Sequence, residues 1–220
     1  MRRKIDTVIF DMDGTVLDTL QDLADAVNVA LKTFGLPERT LDEVRSFVGN
    51  GVRRLIELSV PGGFEHPRFE EIFAKFREYY GLHCNDKTRA YDGILPLLRE
   101  LEQQGYGLAI VSNKLDSAVK ELNEIYFEGI VKVAIGEVEG IAKKPAPDMV
   151  EKALRELGKT KETAVYVGDS DVDLLTAKNA GLPCISVLWG FREEEFLKQY
   201  GAQYFAKTPA EIPGLIEEIW

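Results

Sequence analysis

The sequence predicts an α/β protein built on a doubly wound parallel sheet, with an all-helical domain inserted after the first strand. Three observations carry this. Short apolar runs rich in β-branched residues recur along the chain, and amphipathic stretches that stop at glycine lie between them. One long segment, residues 18–86, keeps helical periodicity almost throughout.

The apolar runs are Thr7–Phe10, Gly107–Val111, Lys132–Ile135, Thr163–Val167, Pro183–Val187 and a weaker Ala202–Ala206. Runs this short, apolar on both faces, suit strands buried between helical layers. Helices are predicted from Ile94 to Gln104, Asp148 to Leu157 and Asp171 to Ala180, followed by Gly105, Gly158 and Gly181. A helix C-terminus favours glycine there because the next residue turns left-handed. In the 18–86 segment, Leu20, Leu23, Ala24, Val27 and Leu31 repeat at helical spacing, with Pro37, Gly49-Asn50-Gly51 and Pro61-Gly62-Gly63 as breaks. The predicted division is an α/β core of residues 1–17 and 87–220 and a helical cap of residues 18–86.

Composition narrows the function. A formal net charge of −10 opposes nucleic-acid or anionic-membrane partners, which need a basic face. No apolar run approaches the roughly 20 residues of a membrane span. The basic start, Met1 to Lys4, is followed only by a strand-length apolar run, so no signal peptide is expected. Cys84 and Cys184 lie far apart with no metal-ligand spacing and are read as free thiols in a reducing, cytoplasmic compartment.

In a parallel sheet, ligands bind beyond the carboxyl ends of the strands. Asp11 and Asp13 follow the first run, Ser112 and Asn113 the second, and Asp169 and Asp173 the fourth; Lys144 lies a few residues beyond the third. Acidic groups, a hydroxyl and a lysine are thus expected at one edge. Taken singly, each also reads as a turn former, a helix cap or a solvated charge; their order, each near a strand end, carries the signal.

Asp11-Met-Asp-Gly-Thr15, Ser112, Lys144 with Pro145 and Pro147, and Gly168-Asp-Ser-Asp-Val-Asp173 resemble the four motifs of the haloacid dehalogenase superfamily, whose core is Rossmann-like. The resemblance spans nearly the whole chain, including a helical cap placed directly after the first motif. It implies a phosphatase working through an aspartyl-phosphate, with Asp11 as nucleophile, Asp13 as general acid and base, and Lys144 as counter-charge. It implies Mg²⁺ held by Asp11, the Asp13 backbone carbonyl, Asp169 and, through water, Asp173. Ser112, Asn113 and the backbone at Asp13 and Gly14 would cradle the phosphoryl oxygens. An all-oxygen ligand set suits Mg²⁺ better than zinc. Asp13 stands where dehalogenases of the superfamily lack an acid and phosphonatases carry Ala, and Thr15 stands where the sugar phosphomutases usually carry Val.

The stretch Phe47 to Leu55 is similar to a cap loop of phosphoglycolate phosphatases. It offers the Gly49-Asn50-Gly51 turn, with Asn50, Gly51, Arg53 and Arg54 as candidate contacts for an acidic substrate such as 2-phosphoglycolate. A helix-helix turn with two solvated arginines is the alternative. A sugar phosphomutase or a pyrophosphatase of the same superfamily are the competing activities, and a non-catalytic binding module is the remaining one. The expected partner is a small phosphate ester, and the expected state a monomer or homodimer. Trp189-Gly-Phe-Arg192, past the fifth run, reads as either a border of the site or packing.

Overall fold

The computed structural model describes residues 5–219; the basic start, residues 1–4, lies outside them. The chain divides into two units. One ends at Leu17 and resumes at Ala90, and the other is Asp18–Arg89.

In chain order the elements are β1 (Thr7–Phe10), β2 (Leu17–Asp18), α1 (Leu20–Thr33), α2 (Leu41–Phe47), α3 (Val52–Ser59), α4 (Phe69–His83) and β3 (Arg89–Ala90). There follow α5 (Ile94–Gln103), β4 (Gly107–Leu115), α6 (Asp116–Phe127), β5 (Val133–Glu137), α7 (Asp148–Leu157) and β6 (Ala164–Gly168). The chain closes with α8 (Asp171–Ala180), β7 (Cys184–Val187), α9 (Glu194–Gln199), β8 (Tyr204–Ala206) and α10 (Ile212–Glu218).

The larger unit is a six-stranded sheet ordered β5-β4-β1-β6-β7-β8. Its pairings are parallel, for example Val8 with Leu108 on one side and with Val165 on the other. After β1 the chain winds outward through β4 and β5, then returns to the far side of β1 for β6. That reversal leaves a crevice beyond the ends of β1, β4 and β6, where side chains can meet a ligand. Apolar clusters fill both faces: Phe10, Leu98, Phe127 and Val167 lie in one, Ile9, Val111, Met149 and Tyr166 in the other.

Helix ends follow their local chemistry. Ser170 and Asp173 form a reciprocal capping box at the start of α8, and Gly158 and Gly181 take left-handed conformations after α7 and α8.

The smaller unit contains α1 to α4. α1 packs on α4, with Leu23, Val27, Phe76 and Tyr80 among the buried side chains. Its second boundary falls at Arg89, beyond residue 86, and the buried carboxylate of Asp22 gives the reason. It accepts hydrogen bonds from the amides of Lys87 (3.0 Å) and Thr88 (2.8 Å) and from the Thr88 hydroxyl (2.8 Å), tying this segment to α1. Periodicity cannot report such a long-range polar tie. β2 and β3 pair as a two-stranded ribbon where the chain passes between the units. Both cysteines are free thiols. Among the described residues, no helix is long and apolar enough to cross a membrane.

Candidate active site

β1 delivers Asp11 directly from its buried end. Asp11 Oδ1 accepts from the Met12 amide at 2.6 Å and from Lys144 Nζ at 2.8 Å. Asp11 Oδ2 accepts no hydrogen bond from the described residues, so that oxygen is available for chemistry. Lys144 is 3% exposed and reaches in from the loop between β5 and α7. Its ammonium also bonds Asp173 Oδ1 (2.8 Å) and the Tyr166 hydroxyl (3.2 Å). The Asn113 side chain fixes the lysine's backbone from both ends, accepting from Lys144 N at 2.9 Å and donating to Lys144 O at 3.0 Å.

Asp169 follows β6, and Asp173 lies one helical turn further on. One oxygen from each of Asp11, Asp169 and Asp173 lies within 4.8 Å of the others. Asp173 is saturated: Oδ1 takes Lys144 and Tyr166, and Oδ2 meets the amides of Asp169 (3.2 Å) and Ser170 (3.1 Å) and the Ser170 hydroxyl (2.6 Å). Its geometry suits holding Lys144 and capping α8. Asp11 and Asp169 are therefore better placed to give an oxygen to a cation.

Crowded, buried carboxylates resist ionisation. Burial, reinforced by Asp173, pushes Asp11 well above the usual carboxylate range, with Lys144 opposing. Burial and Asp173 likewise push Asp169 up to about 7, against the Phe191 amide, Arg192 and Lys144. Burial alone would lower Lys144, but Asp11 and Asp173 hold it above the ordinary lysine value. Three carboxylates around one lysine leave an excess of buried negative charge. A divalent cation with oxygen ligands fits that excess.

This predicts a sign for stability. The folded state binds a proton at Asp169 that the unfolded chain, with its ordinary value of 3.8, has released. The cost to folding is absent below about 3.8, grows as pH rises and is complete above about 7. Metal-free protein is expected to melt lower at pH ~8 than at pH ~5, and magnesium chloride to restore more at the higher pH. Thermal unfolding at both pH values, with and without the salt, checks this; a larger magnesium effect at the acid value would reverse the sign.

Three placements differ from expectation. Ser112 and Asn113 do not follow β4 but lie within it, because the strand continues to Leu115. The apolar run ends at Val111, but burial does not: Ser112, Asn113 and Lys114 are 2%, 5% and 3% exposed. Gly14 does not offer its amide to a phosphate. That N–H donates to Leu17 O at 2.9 Å, and the residue serves through its φ of +86° and its close approach to Asp169. In the smaller unit Arg53 is ion-paired with Glu70 and stacked on Phe64, Phe69 and Phe73, and Arg54 pairs with Glu57 at 2.6 Å. Their charge is already matched. Asn50 is exposed, and Gly51, at φ +85°, opens α3.

Sequence reasoning missed Lys114, whose buried ammonium lies 3.0 Å from Asp13 Oδ1. The available signal was a charge directly after Ser112-Asn113, still in extended chain. Tyr166 was missed too, because a tyrosine within an apolar run reads as core.

A wound parallel sheet that gathers buried carboxylates and a counter-charged lysine at its carboxyl edge defines an aspartate-based hydrolase core. Residues 8–187 match the haloacid dehalogenase-like hydrolase family, and the chain belongs to that family. It is a phosphatase of that family.

Phosphoglycolate phosphatase of Aquifex aeolicus is 38% identical over 189 residues, covering 84% of this chain and 85% of that protein. Pyrophosphatase PpaX of Listeria monocytogenes is 29% identical over 221 residues, covering 99% of each. A crystal structure from Lactobacillus delbrueckii subsp. bulgaricus, provisionally named a phosphoglycolate phosphatase, superposes with a TM-score of 0.92. It is 36% identical over 97% of this chain and 99% of that one.

Proposed function

We propose that the protein hydrolyses 2-phosphoglycolate with Mg²⁺, through an aspartyl-phosphate on Asp11. One observation supports the chemistry above others: Asp11 is held through Oδ1 by Lys144 and the Met12 amide, with Oδ2 left open.

In this reading Asp11 Oδ2 attacks phosphorus in line, and the bond to the ester oxygen breaks. Asp13 gives its proton to the departing alkoxide. Asp13 then takes a proton from water, whose oxygen attacks the aspartyl-phosphate, releasing phosphate and restoring Asp11. Lys144 offsets charge on Asp11 and on the transferring group, and Ser112, buried near the carboxyl end of β4, is the candidate phosphate ligand that the family resemblance supplies. Lys114, paired with Asp13, orients that acid. Asp11 and Asp169, with the Asp13 carbonyl, would hold Mg²⁺, which supplies the positive charge a carboxylate needs to approach a phosphate dianion.

For the substrate, the Aquifex relative and the turn at Gly49-Asn50-Gly51 support an ester with a second acidic group. With Arg53 and Arg54 engaged by glutamates, Asn50 and Gly51 are the better candidates for recognition. A second reading, pyrophosphate hydrolysis, is favoured by the end-to-end alignment with the Listeria pyrophosphatase. Two free thiols fit a cytoplasmic setting.

Phosphate release should be measured from 2-phosphoglycolate, pyrophosphate, sugar phosphates and nucleotides, with Mg²⁺ and with chelator. The expected result is Mg²⁺-dependent release with kcat/KM for phosphoglycolate at least about tenfold above the others. Preference for pyrophosphate would move the assignment to the second reading. Glucose phosphate interconversion without net phosphate release would replace both with a mutase.

A further inference from the structure

Four consecutive residues after β7 meet the loops that carry the acidic cluster. The Trp189 indole N–H donates to the backbone carbonyl of Thr15 at 2.9 Å. The Phe191 amide donates to Asp169 Oδ2 at 2.7 Å. Arg192 Nε lies 3.6 Å from Asp171 Oδ1.

Between them, Gly190 has no room for a side chain. A Cβ there would come within 2.5 Å of Asp169 Oδ2 and of the Gly14 carbonyl. A Cβ at Gly14 would likewise lie 2.8 Å from Asp169 Cγ and 2.9 Å from Phe191 Cδ2. The Asp169 carboxylate is therefore packed closely against two glycine backbones, with one oxygen committed to the Phe191 amide. Among the described residues, its other oxygen has a single long contact, 3.4 Å, from the Thr15 hydroxyl.

We propose that Trp189–Arg192 is a positioning strap that aims Asp169 Oδ1 at the divalent cation, and that the strap sets metal affinity. The inference rests on Asp169 being a metal ligand. Its physical basis is pre-organisation. A carboxylate that can rotate or swing must be ordered when the cation binds, whereas one held through its second oxygen and by close backbone packing need not be. Trp189 extends the strap to the loop after β1, so Asp11 and Asp169 are held in register by one short segment. The strap acts through these residues and need not itself touch substrate.

The test is Mn²⁺ binding, followed by the electron paramagnetic resonance signal of the free ion. The proteins are the unaltered chain, Gly190→Ala, Trp189→Phe and Asp169→Asn, with thermal unfolding of each metal-free variant alongside. Gly190→Ala should weaken Mn²⁺ by at least about tenfold and raise the Mg²⁺ concentration for half-maximal turnover in parallel, with substrate KM unchanged at saturating metal. Trp189→Phe keeps an aromatic ring but removes the donated hydrogen bond and part of the indole, and should weaken Mn²⁺ by about threefold. Asp169→Asn should lose Mn²⁺ by about a hundredfold.

If Asp169→Asn loses the ion while Gly190→Ala keeps its full affinity, the strap is refuted and the ligand assignment stands. If Asp169→Asn also binds normally, the ligand assignment fails and takes the strap with it. Should Gly190→Ala not fold, Trp189→Phe decides: unchanged Mn²⁺ affinity there overturns the proposal.

Discussion

Asp11→Asn is expected to reduce phosphate release by more than about 10⁴-fold, because an amide cannot attack phosphorus and no other described carboxylate offers an open oxygen at that position. The fold should survive. Burial and Asp173 already push Asp11 well above the usual carboxylate range, which means its charge works against the metal-free folded state at neutral pH. A neutral amide of the same shape removes that cost while losing one partner of Lys144. Metal-free Asp11→Asn should therefore melt no lower than the unaltered protein at pH ~7.5. A variant with normal turnover would exclude Asp11 as nucleophile. A variant that is inactive but unfolded would instead show that Asp11 holds the site together.

Lys144→Met should damage both stability and turnover. The ammonium is buried and lies 2.8 Å from both Asp11 and Asp173. Its removal leaves two carboxylates in low dielectric without a counter-charge, a change that typically costs about 3–5 kcal/mol. For a chain of this length that corresponds to a fall in melting temperature of roughly 10 °C. The deficit should shrink as pH falls from about 8 to about 5, because protonated carboxylates need no partner. Turnover at saturating Mg²⁺ should fall by about 10²- to 10³-fold through the lost charge at the transferring group. Thermal unfolding across pH, with steady-state kinetics, separates the two effects. An unchanged melting temperature at neutral pH would mean that the acidic cluster is neutralised by something other than Lys144.

The two variants differ in a useful way. Asp11 is costly to the metal-free fold and is expected to be central to catalysis, whereas Lys144 is expected to support both. A site that concentrates carboxylates stores electrostatic strain, and the cation that binds there relieves it. Magnesium should therefore appear in thermal measurements as well as in kinetic ones.

How much of this was legible in the primary structure depends on what kind of interaction each residue makes. β1 (Thr7–Phe10), α7 (Asp148–Leu157) and α8 (Asp171–Ala180) begin and end where local chemistry placed them. Apolar runs, capping serines and left-handed glycines act over a few residues, so a linear reading captures them. Asp11, Lys144, Asp169 and Asp173 were also legible, because strand ends in a parallel sheet must converge.

What could not be read were the contacts that depend on which side chains meet across the fold. The buried polar end of β4 looked like a loop, since Ser112, Asn113 and Lys114 are polar and their partners, Lys144 and Asp13, are distant in sequence. Gly14 looked like a phosphate cradle, but its amide closes a turn onto Leu17. Arg53 and Arg54 looked available until Glu70 and Glu57 were found beside them. Gly190 lies in the Trp189–Arg192 stretch that read as either a site border or packing, and its missing side chain makes room for Asp169. The parallel-sheet class and the gathering of acidic groups at its carboxyl edge follow from pattern and spacing, and the chemical class was implied by the resemblance of the four motifs. Which oxygens stay open, which charges are already matched and what packs against Asp169 were decided only by folding, because hydrogen-bond capacity and space are settled among groups that the chain brings together from far apart.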